Sequence, residues 1–311
     1  MGPAWVRRVR QRLPGAFVQE LDAELQRHKD RSGTPAEPEL HSVHFLLIQH
    51  SPGERDAAAY LDWLAGTGVG ELYECLAPHW PAGETLPREL GAMRDRHLAL
   101  LRLWNEHYFS HVDPAILSGL QDVARRLEAE IPSADPVELA ERTTNGLVLG
   151  GAAPPHLVLV PQHHMVPFNS MAKGHERLMI LYPADVDGAP PDAPPASLRR
   201  LARALADESR LRILRQLSTD EPRSLTEIAR AARLAQSTIH HHLLLLRVAG
   251  LVRVHLGDGH ANQYTLRPHA IEELGTRLRA YLAPPAGTTR PAKTTHVAKA
   301  TGTKRATRKR K

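Results

Sequence analysis

The feature that most constrains the fold is residues 224–266, where signals for two short helices and a tight turn follow one another. Ser224 stands three residues before Glu227, so each side chain can satisfy a free backbone N–H group of the other at a helix start. Apolar residues at i, i+3, i+4 and i+7 then predict a short helix with one buried face. A second helix is predicted from Gln236, and Gly250 can supply the left-handed residue that ends it. The stretch therefore predicts a helix-turn-helix.

A hairpin is predicted directly after these helices. Residues 252–256 alternate between apolar and polar side chains, as a half-buried strand does. The run Gly257-Asp258-Gly259 can turn the chain, and residues 263–266 can return it. A helix-turn-helix followed by a hairpin is a winged helix.

This stretch and the residues before it resemble a known family. The segments LARALADESRLRILRQLS, SLTEIAR and LAQSTIHHHLLLLRVAGLV, with the hairpin closing on QYTL, resemble the ArsR-like winged-helix repressors of bacteria in order and spacing. The resemblance covers about residues 196–283. Ala235 departs from it, because the family often has Ser or Thr as the cap of the second helix. The alternative is a helical hairpin of a larger enzyme that does not contact DNA.

The resemblance implies that the second helix enters the major groove of DNA. Nine side chains are expected to contact DNA, by reading bases, by binding phosphates or from the wing tip. The expected base readers are Gln236, Ser237, His240 and His241, the expected phosphate contacts are Thr238, Arg247 and Arg253, and the wing tip offers His260 and Asn262.

The distribution of charge agrees with a DNA-binding carboxy-terminal half. Residues 1–195 carry 17 Lys and Arg against 26 Asp and Glu, a net charge of −9. Residues 196–283 carry 14 against 8, a net charge of +6, and residues 284–311 carry nine basic residues and no acidic one. An acidic body joined to a basic module and a basic tail is typical of a DNA-binding protein whose first domain has another role.

The predicted fold class is mostly α with a small amount of β. Residues 1–183 are expected to form an acidic α+β domain, in which apolar runs at 156–160 and 177–182 form two paired strands around a long excursion. This domain resembles the amino-terminal domains of some actinobacterial ArsR-like regulators. Residues 184–196 are interpreted as a Pro-rich linker, residues 197–283 as the winged helix, and residues 284–311 as a disordered basic tail.

No metal, cofactor or catalytic site is predicted. His107 and His111 stand at i, i+4, and His163 is followed by His164, but neither pair completes a ligand set. The single cysteine, Cys75, excludes a multi-cysteine metal site within one chain. No apolar run approaches 18 residues and the amino terminus lacks a secretory apolar core, so a cytoplasmic, nucleoid-associated location and no membrane partner are expected.

The sequence therefore predicts a transcription regulator whose partner is double-stranded DNA. A homodimeric repressor on a pseudo-palindromic operator is expected, with the apolar stripes of residues 198–205 and 271–282 as the dimer surface. The alternative is that both stripes pack on their own domain. A small-molecule effector is expected on the first domain, under residues 161–175. The rival function is a non-specific DNA-organising protein whose acidic domain binds other proteins.

Overall fold

The computed structural model shows a predominantly helical chain with two small sheets. It describes residues 3–31, 43, 46–48, 56–80, 83, 85–150, 155–173, 177–186, 193–219, 221–256 and 261–283. The predicted basic tail, the turn at residues 257–259 and the middle of the predicted linker lie outside the described residues.

The amino-terminal part is built mainly from seven α-helices whose bounds lie within the described residues. They are α1 (Pro3–Arg12), α2 (Gly15–Arg31), α3 (Ala57–Gly66), α4 (Val69–Leu76), α5 (Leu90–His107), α6 (Pro114–Glu130) and α7 (Pro136–Thr143). Asp113 and Asp135 cap α6 and α7 by accepting backbone N–H groups, and a proline occupies the first helical position of each. Leu64, Leu72 and Leu90 are fully buried where α3, α4 and α5 pack together. This cluster is the core of the amino-terminal part.

A three-stranded sheet follows the helices. It contains β2 (His156–Gln162), β3 (Ser170–Lys173) and β4 (Arg177–Pro183) in the order β2-β4-β3. The two strands predicted from apolar runs are therefore confirmed, and they pair in parallel. The excursion between them contains β3, which pairs antiparallel with β4. The described part of the excursion packs against aromatic rings, since Tyr108 Oη lies 2.6 Å from Nε2 of His164 and the Trp5 ring meets the Tyr108 ring edge-on.

The carboxy-terminal part is the winged helix that the sequence predicts. Its elements are α8 (Ala196–Leu205), α9 (Glu208–Gln216), β5 (Arg223–Ser224), α10 (Leu225–Ala232), α11 (Gln236–Val248), β6 (Val252–His255), β7 (Gln263–Leu266) and α12 (Ala270–Leu282). Ile213, Leu217, Ile228, Ile239 and Leu246 are completely buried at its centre. Burial of such side chains stabilises a fold by about 1.5–3 kcal/mol each.

The wing is extended by a strand from the amino-terminal part. Residues Leu147–Val148, which form β1, pair in parallel with β6, and the resulting sheet has the order β1-β6-β7-β5. The N–H of Val254 donates to the carbonyl of Gly146 at 2.7 Å, and the N–H of Leu256 donates to the carbonyl of Val148 at 3.0 Å. This pairing covers an edge of the wing that would otherwise present unpaired backbone groups.

Two sequence interpretations differ from the structure. The sequence pattern from Pro136 to Leu149 also predicts a helix, but α7 ends at Thr143, because Asn145 and Gly146 adopt left-handed backbone conformations with φ of 58° and 99°. The stripe of α8 does not form a free surface, since Leu198, Leu201 and Ala204 are buried within the protein. The alternative reading, in which the stripe packs on its own domain, therefore holds for α8.

Gly146 provides a test of the strand pairing. A Cβ atom at this position would lie 2.8 Å from the carbonyl oxygen of Val252, and the left-handed φ adds strain. We expect Gly146→Ala to reduce the free energy of unfolding by about 2 kcal/mol and to speed amide exchange at Val254. Denaturant unfolding and hydrogen exchange measure these effects.

Gly70→Ala is the matched control, because a Cβ atom at Gly70 would meet nothing within 4 Å. It should leave stability unchanged or raise it slightly. Equal unfolding curves and equal Val254 exchange for the Gly146 variant and the parent would contradict the pairing.

Candidate nucleic-acid interface

The turn between α10 and α11 sets the geometry of the interface. The backbone N–H of Ser224 donates to Oε2 of Glu227 at 2.7 Å, and the N–H of Glu227 donates to Oγ of Ser224 at 3.3 Å, which confirms the predicted capping box. The carboxyl of Glu227 has a lowered pKa, because it accepts hydrogen bonds from Ser224. Arg233 ends α10 in a left-handed conformation with φ of 56°. Ala235 caps α11 without a side-chain hydrogen bond, as its residue type implies.

The first turns of α11 present polar side chains to solvent. Ile239, Leu243 and Leu246 face the core, and the first-turn side chains on the opposite face point outward. Five of the nine predicted DNA contacts are exposed together on this surface: Gln236, Ser237, Thr238, His240 and His241. These residue types can donate to phosphates, and can donate to or accept from base edges. The surface has the form expected of a recognition helix, and its individual contacts remain predictions.

Gln236 is positioned by the preceding helix. Its Nε2 atom donates to Oγ1 of Thr226 at 3.2 Å. This bond leaves the amide oxygen and the second N–H free to face a ligand, since an amide group has two donors and one acceptor. The bond links the side chain at the start of α11 to the preceding helix.

The two predicted arginine contacts lie apart from this surface. Arg247 is half-buried in the last turn of α11, where burial lowers the pKa of its guanidinium and the neighbouring Tyr264 opposes that shift. Arg253 lies on β6 on the face opposite the buried Val252 and Val254. Its Nε atom pairs with Oε1 of Glu141 at 3.2 Å. Neither cation shares the exposed position of the residues at the start of α11.

Glu141 connects the amino-terminal part to the wing through a chain of charges. Its buried carboxylate also accepts a hydrogen bond of 2.9 Å from Nε of Arg267, which is only 3% exposed. Arg267 pairs in turn with Glu273, which pairs with Arg277 on the same helix, α12. Removing one member of a buried network leaves another charge uncompensated, which typically costs about 3–5 kcal/mol. The network therefore fixes α7 against the wing and the last helix.

The wing tip is only partly described. Asn262 is exposed immediately before β7, and His260 lies outside the described residues. Nε2 of His255 lies 2.9 Å from Oγ1 of Thr265 across the hairpin, so this histidine has a structural partner. Burial lowers the pKa of His255, and the nearby Arg253 adds to the shift.

Two cations near the recognition helix were not predicted from the sequence. Arg230 and Arg233 are exposed at the end of α10, beside the turn. Charged residues beside a turn are ordinarily only solvated, so there is no reason in the sequence to single them out. Exposed guanidinium groups at this position are additional candidates for phosphate binding.

The histidine pairs do not form a cluster around a metal. Across the described ranges, no group of three or more His, Cys, Asp or Glu side chains is placed to hold an ion. His107 ends α5, and His111 belongs to a separate turn of 3-10 helix, so the two do not share the helix face that their spacing suggested. None of the helices in the described part of the chain has the length and apolar content of a bilayer-spanning segment.

The Glu141 network predicts how the wing responds to a change of charge. Glu141→Gln removes the carboxylate that pairs with Arg253, so the guanidinium becomes available to neutralise a phosphate. We expect tighter binding to random duplex DNA and a salt dependence of log affinity that is steeper by about 0.9. Fluorescence anisotropy at several salt concentrations measures both quantities, and circular dichroism checks the fold.

Glu128→Gln is the control, because it makes the same change of net charge at an exposed position on α6. This variant should show the same salt dependence of log affinity as the parent protein. If the two variants give the same slope, Arg253 does not reach phosphate when it is released.

Comparison with known proteins gives one family match. Residues 205–255, from the end of α8 to the end of β6, match a family described as a helix-turn-helix domain. No curated protein sequence matches the chain.

Solved structures similar to this chain cover about a quarter of it. One is described as a possible transcriptional regulatory protein from Mycobacterium bovis, fragment 1–100, with 25% identity, a TM-score of 0.23, and 27% of this chain and 89% of that chain covered. HlyU from Vibrio cholerae has 31% identity, a TM-score of 0.23 and coverage of 28% and 95%. NolR from Sinorhizobium fredii has 27% identity, a TM-score of 0.23 and coverage of 28% and 87%.

The family match coincides with the capped helices, the turn and the first wing strand described above. Together, the match and the geometry support a DNA-binding transcription regulator built on a winged helix-turn-helix domain.

Proposed function

We propose that the protein is a dimeric transcriptional repressor whose amino-terminal part responds to an effector. The observation that carries the DNA-binding role is the set of exposed polar side chains on the first turns of α11, opposite a completely buried apolar face. A helix of this form reads only a few base pairs, so a two-fold dimer on a pseudo-palindromic operator supplies the remaining specificity. The resemblance to ArsR-like repressors supports the same proposal.

The last helix is the proposed dimer surface. Ile271, Leu278, Tyr281 and Leu282 are exposed on α12, and Ile271 and Leu282 are 66% and 69% exposed. A second copy of α12 would remove these side chains from water, which favours association by about 25 cal/mol for each Å² of apolar area buried. The surface is smaller than the sequence indicated, because the stripe of α8 already packs within its own chain.

The amino-terminal part is the proposed regulatory element because it is joined to the wing. The side-chain amide of Asn169, which precedes β3, donates to the carbonyl of Thr144 at 2.8 Å. Thr144 lies two residues before Gly146, whose carbonyl accepts a hydrogen bond from the N–H of Val254 on β6. A movement of the three-stranded sheet would therefore be transmitted to the wing through two hydrogen bonds. In this proposal the chain acts in the cytoplasm and is not an enzyme.

The rival proposal is a DNA-organising protein without sequence preference. The strongly basic residues 284–311 favour it, since flexible cations bind any duplex by releasing counterions. Sequence preference separates the two functions. A repressor prefers its operator over random DNA by roughly 10³-fold or more, and an organising protein does not.

The recognition helix can be tested with a double variant. Replacing Gln236 and His241 with alanine should lower affinity for a duplex selected from a random pool, because each good base contact contributes about 1–3 kcal/mol of discrimination. Affinity for random duplex should stay nearly unchanged. The ratio of the two dissociation constants is the measurement.

Gln121→Ala, at an exposed position on α6, serves as the control and should keep the parent ratio. A double variant that also keeps the parent ratio would show that α11 is not the reader.

Truncation after Ala283 tests the basic tail. The tail carries nine cations and one large apolar residue, Val297, so we expect it to neutralise phosphates and not to read bases. Its removal should weaken binding to operator and to random duplex by the same factor. The slope of log affinity against log salt concentration should become less steep by about 0.9 for each phosphate contact that is lost, or several units in all. The specificity ratio should stay the same. An unchanged slope would mean that the tail does not contact DNA.

A further inference from the structure

The first helix, α1, is attached to the rest of the protein by few side chains. Leu13, directly after α1, is buried, and Trp5 and Val9 are half-buried. An ion pair joins α1 to α2, with Nη2 of Arg10 at 2.5 Å from Oδ2 of Asp22. Several side chains of the helix are exposed, namely Val6, Arg7, Arg8, Gln11 and Arg12. An element that buries so little surface can detach while the rest of the protein stays folded.

A cluster of rings fastens the start of α1 to its neighbours. The Trp5 ring lies 5.9 Å from the Tyr108 ring and 5.6 Å from the His164 ring, measured between centroids. Tyr108 follows α5, and its ring lies 4.6 Å from that of Trp104 on α5. Oη of Tyr108 is 2.6 Å from Nε2 of His164 in the excursion. Three separate elements, α1, α5 and the excursion, therefore meet at the His164 ring.

The surroundings of His164 disfavour its charged form. Burial lowers the pKa of His164 from its ordinary value of 6.5, and positive charge on His163 and at the amino terminus adds to the shift. His163 is 5% exposed, and its ring centroid lies 5.5 Å from that of His164. On α5, Oε1 of Glu106 lies 3.9 Å from Nε2 of His107. The cluster therefore holds His164 as a neutral imidazole.

The hydroxyl of Tyr108 fits the neutral imidazole. Burial raises the pKa of Tyr108, so the side chain remains a hydroxyl near neutral pH. A neutral imidazole can accept a hydrogen bond from this hydroxyl at Nε2, which a protonated imidazole cannot. Protonation of His164 thus acts on the hydrogen bond as well as on the buried ring contacts.

The direction of the pH effect follows from the lowered pKa. Departure of α1 removes the Trp5 ring from His164 and admits water, which favours protonation. Between the ordinary and the lowered pKa, the docked form therefore binds fewer protons than the released form. Docking of α1 is strongest above pH 6.5, the ordinary value, and weakens as the pH falls below it. The loss reaches about tenfold in the docking equilibrium for each pH unit at most.

We propose that His164 is a pH-sensitive switch that holds α1 on the excursion while its imidazole is neutral and releases α1 when the imidazole is protonated. Release of α1 goes beyond the proposed repressor function and does not depend on it.

The excursion connects this switch to the wing. The amide of Asn169 donates to the carbonyl of Thr144 at 2.8 Å. Two residues later, the carbonyl of Gly146 accepts the N–H of Val254 on β6. Release of α1 removes a contact from the segment that is bonded to the wing attachment. Control of DNA binding by the switch rests on the proposed repressor function.

Fluorine NMR of the full chain labelled with 5-fluorotryptophan tests the switch. The chain has four tryptophans, and Trp5→Phe identifies the Trp5 signal. The difference in its shift between H₂O and D₂O reports exposure of the indole. We expect this difference to grow as the pH is lowered from about 7.5 to about 5.5, with the ratio of released to docked α1 rising by up to about tenfold per pH unit. The signal of Trp80, which is 6% exposed, should not change.

Two histidine variants assign the response. His164→Gln keeps an amide that can bond to Tyr108 but cannot be protonated, so its Trp5 signal should be the same at both pH values. His111→Gln is the matched control, because His111 is an exposed histidine three residues after Tyr108, and it should behave as the parent. Circular dichroism checks the fold of both.

A Trp5 signal that stays constant in the parent, or an equal acid response in His164→Gln and the parent, overturns the switch. If His164→Gln does not fold, the parent titration still decides, since α1 that stays docked at about pH 5.5 overturns the switch and release supports it. A pH dependence of operator affinity that differs between His164→Gln and the parent supports control of DNA binding. Equal pH dependence overturns that control alone, and failure of α1 to detach from a protein that still selects an operator overturns the switch alone.

Discussion

The buried carboxylate of Glu141 is the interaction on which the relation between the two parts of the chain depends. It accepts hydrogen bonds from Arg253 on β6 and from Arg267, which follows β7. Arg267 is almost completely removed from water. A buried guanidinium needs a carboxylate partner, because an uncompensated charge in a low-dielectric interior is strongly unfavourable. The pairing of β1 with β6 beside this ion pair adds backbone hydrogen bonds. The wing is therefore attached to the amino-terminal part as well as to its own hairpin.

This attachment has a consequence for how DNA binding can be controlled. A wing that takes an edge strand from another domain cannot move independently of that domain. The polar side chains at the start of α11, by contrast, face solvent. The proposed base-reading surface and the proposed regulatory contact thus lie on different elements of one winged helix. Coupling between them requires two arrangements of the wing, which both DNA and effector would bias.

Much of the fold could be predicted from local sequence signals. The capping box at Ser224, the helix start at Gln236 and the strand at residues 263–266 all appear in the structure where residue types and periodicity place them. The contacts of Glu141 and Leu147 could not be predicted in this way. Glu141 and Arg267 are 126 residues apart, and a strand of two residues has no periodicity that sequence can reveal. The half-burial of Arg247 was also missed, because arginine is ordinarily exposed and its depth depends on the packing around Tyr264.

Amide exchange in the wing tests the proposed coupling most directly. The N–H groups of Val254 and Leu256 donate to carbonyls of the amino-terminal part, so their exchange reports the state of the attachment. Exchange would be followed by NMR in the free protein and in its complex with a selected operator duplex. We predict that operator binding changes exchange at these two amides as well as at the start of α11. Unchanged exchange at Val254 and Leu256, together with protection of α11, would show that DNA binding does not involve the attachment.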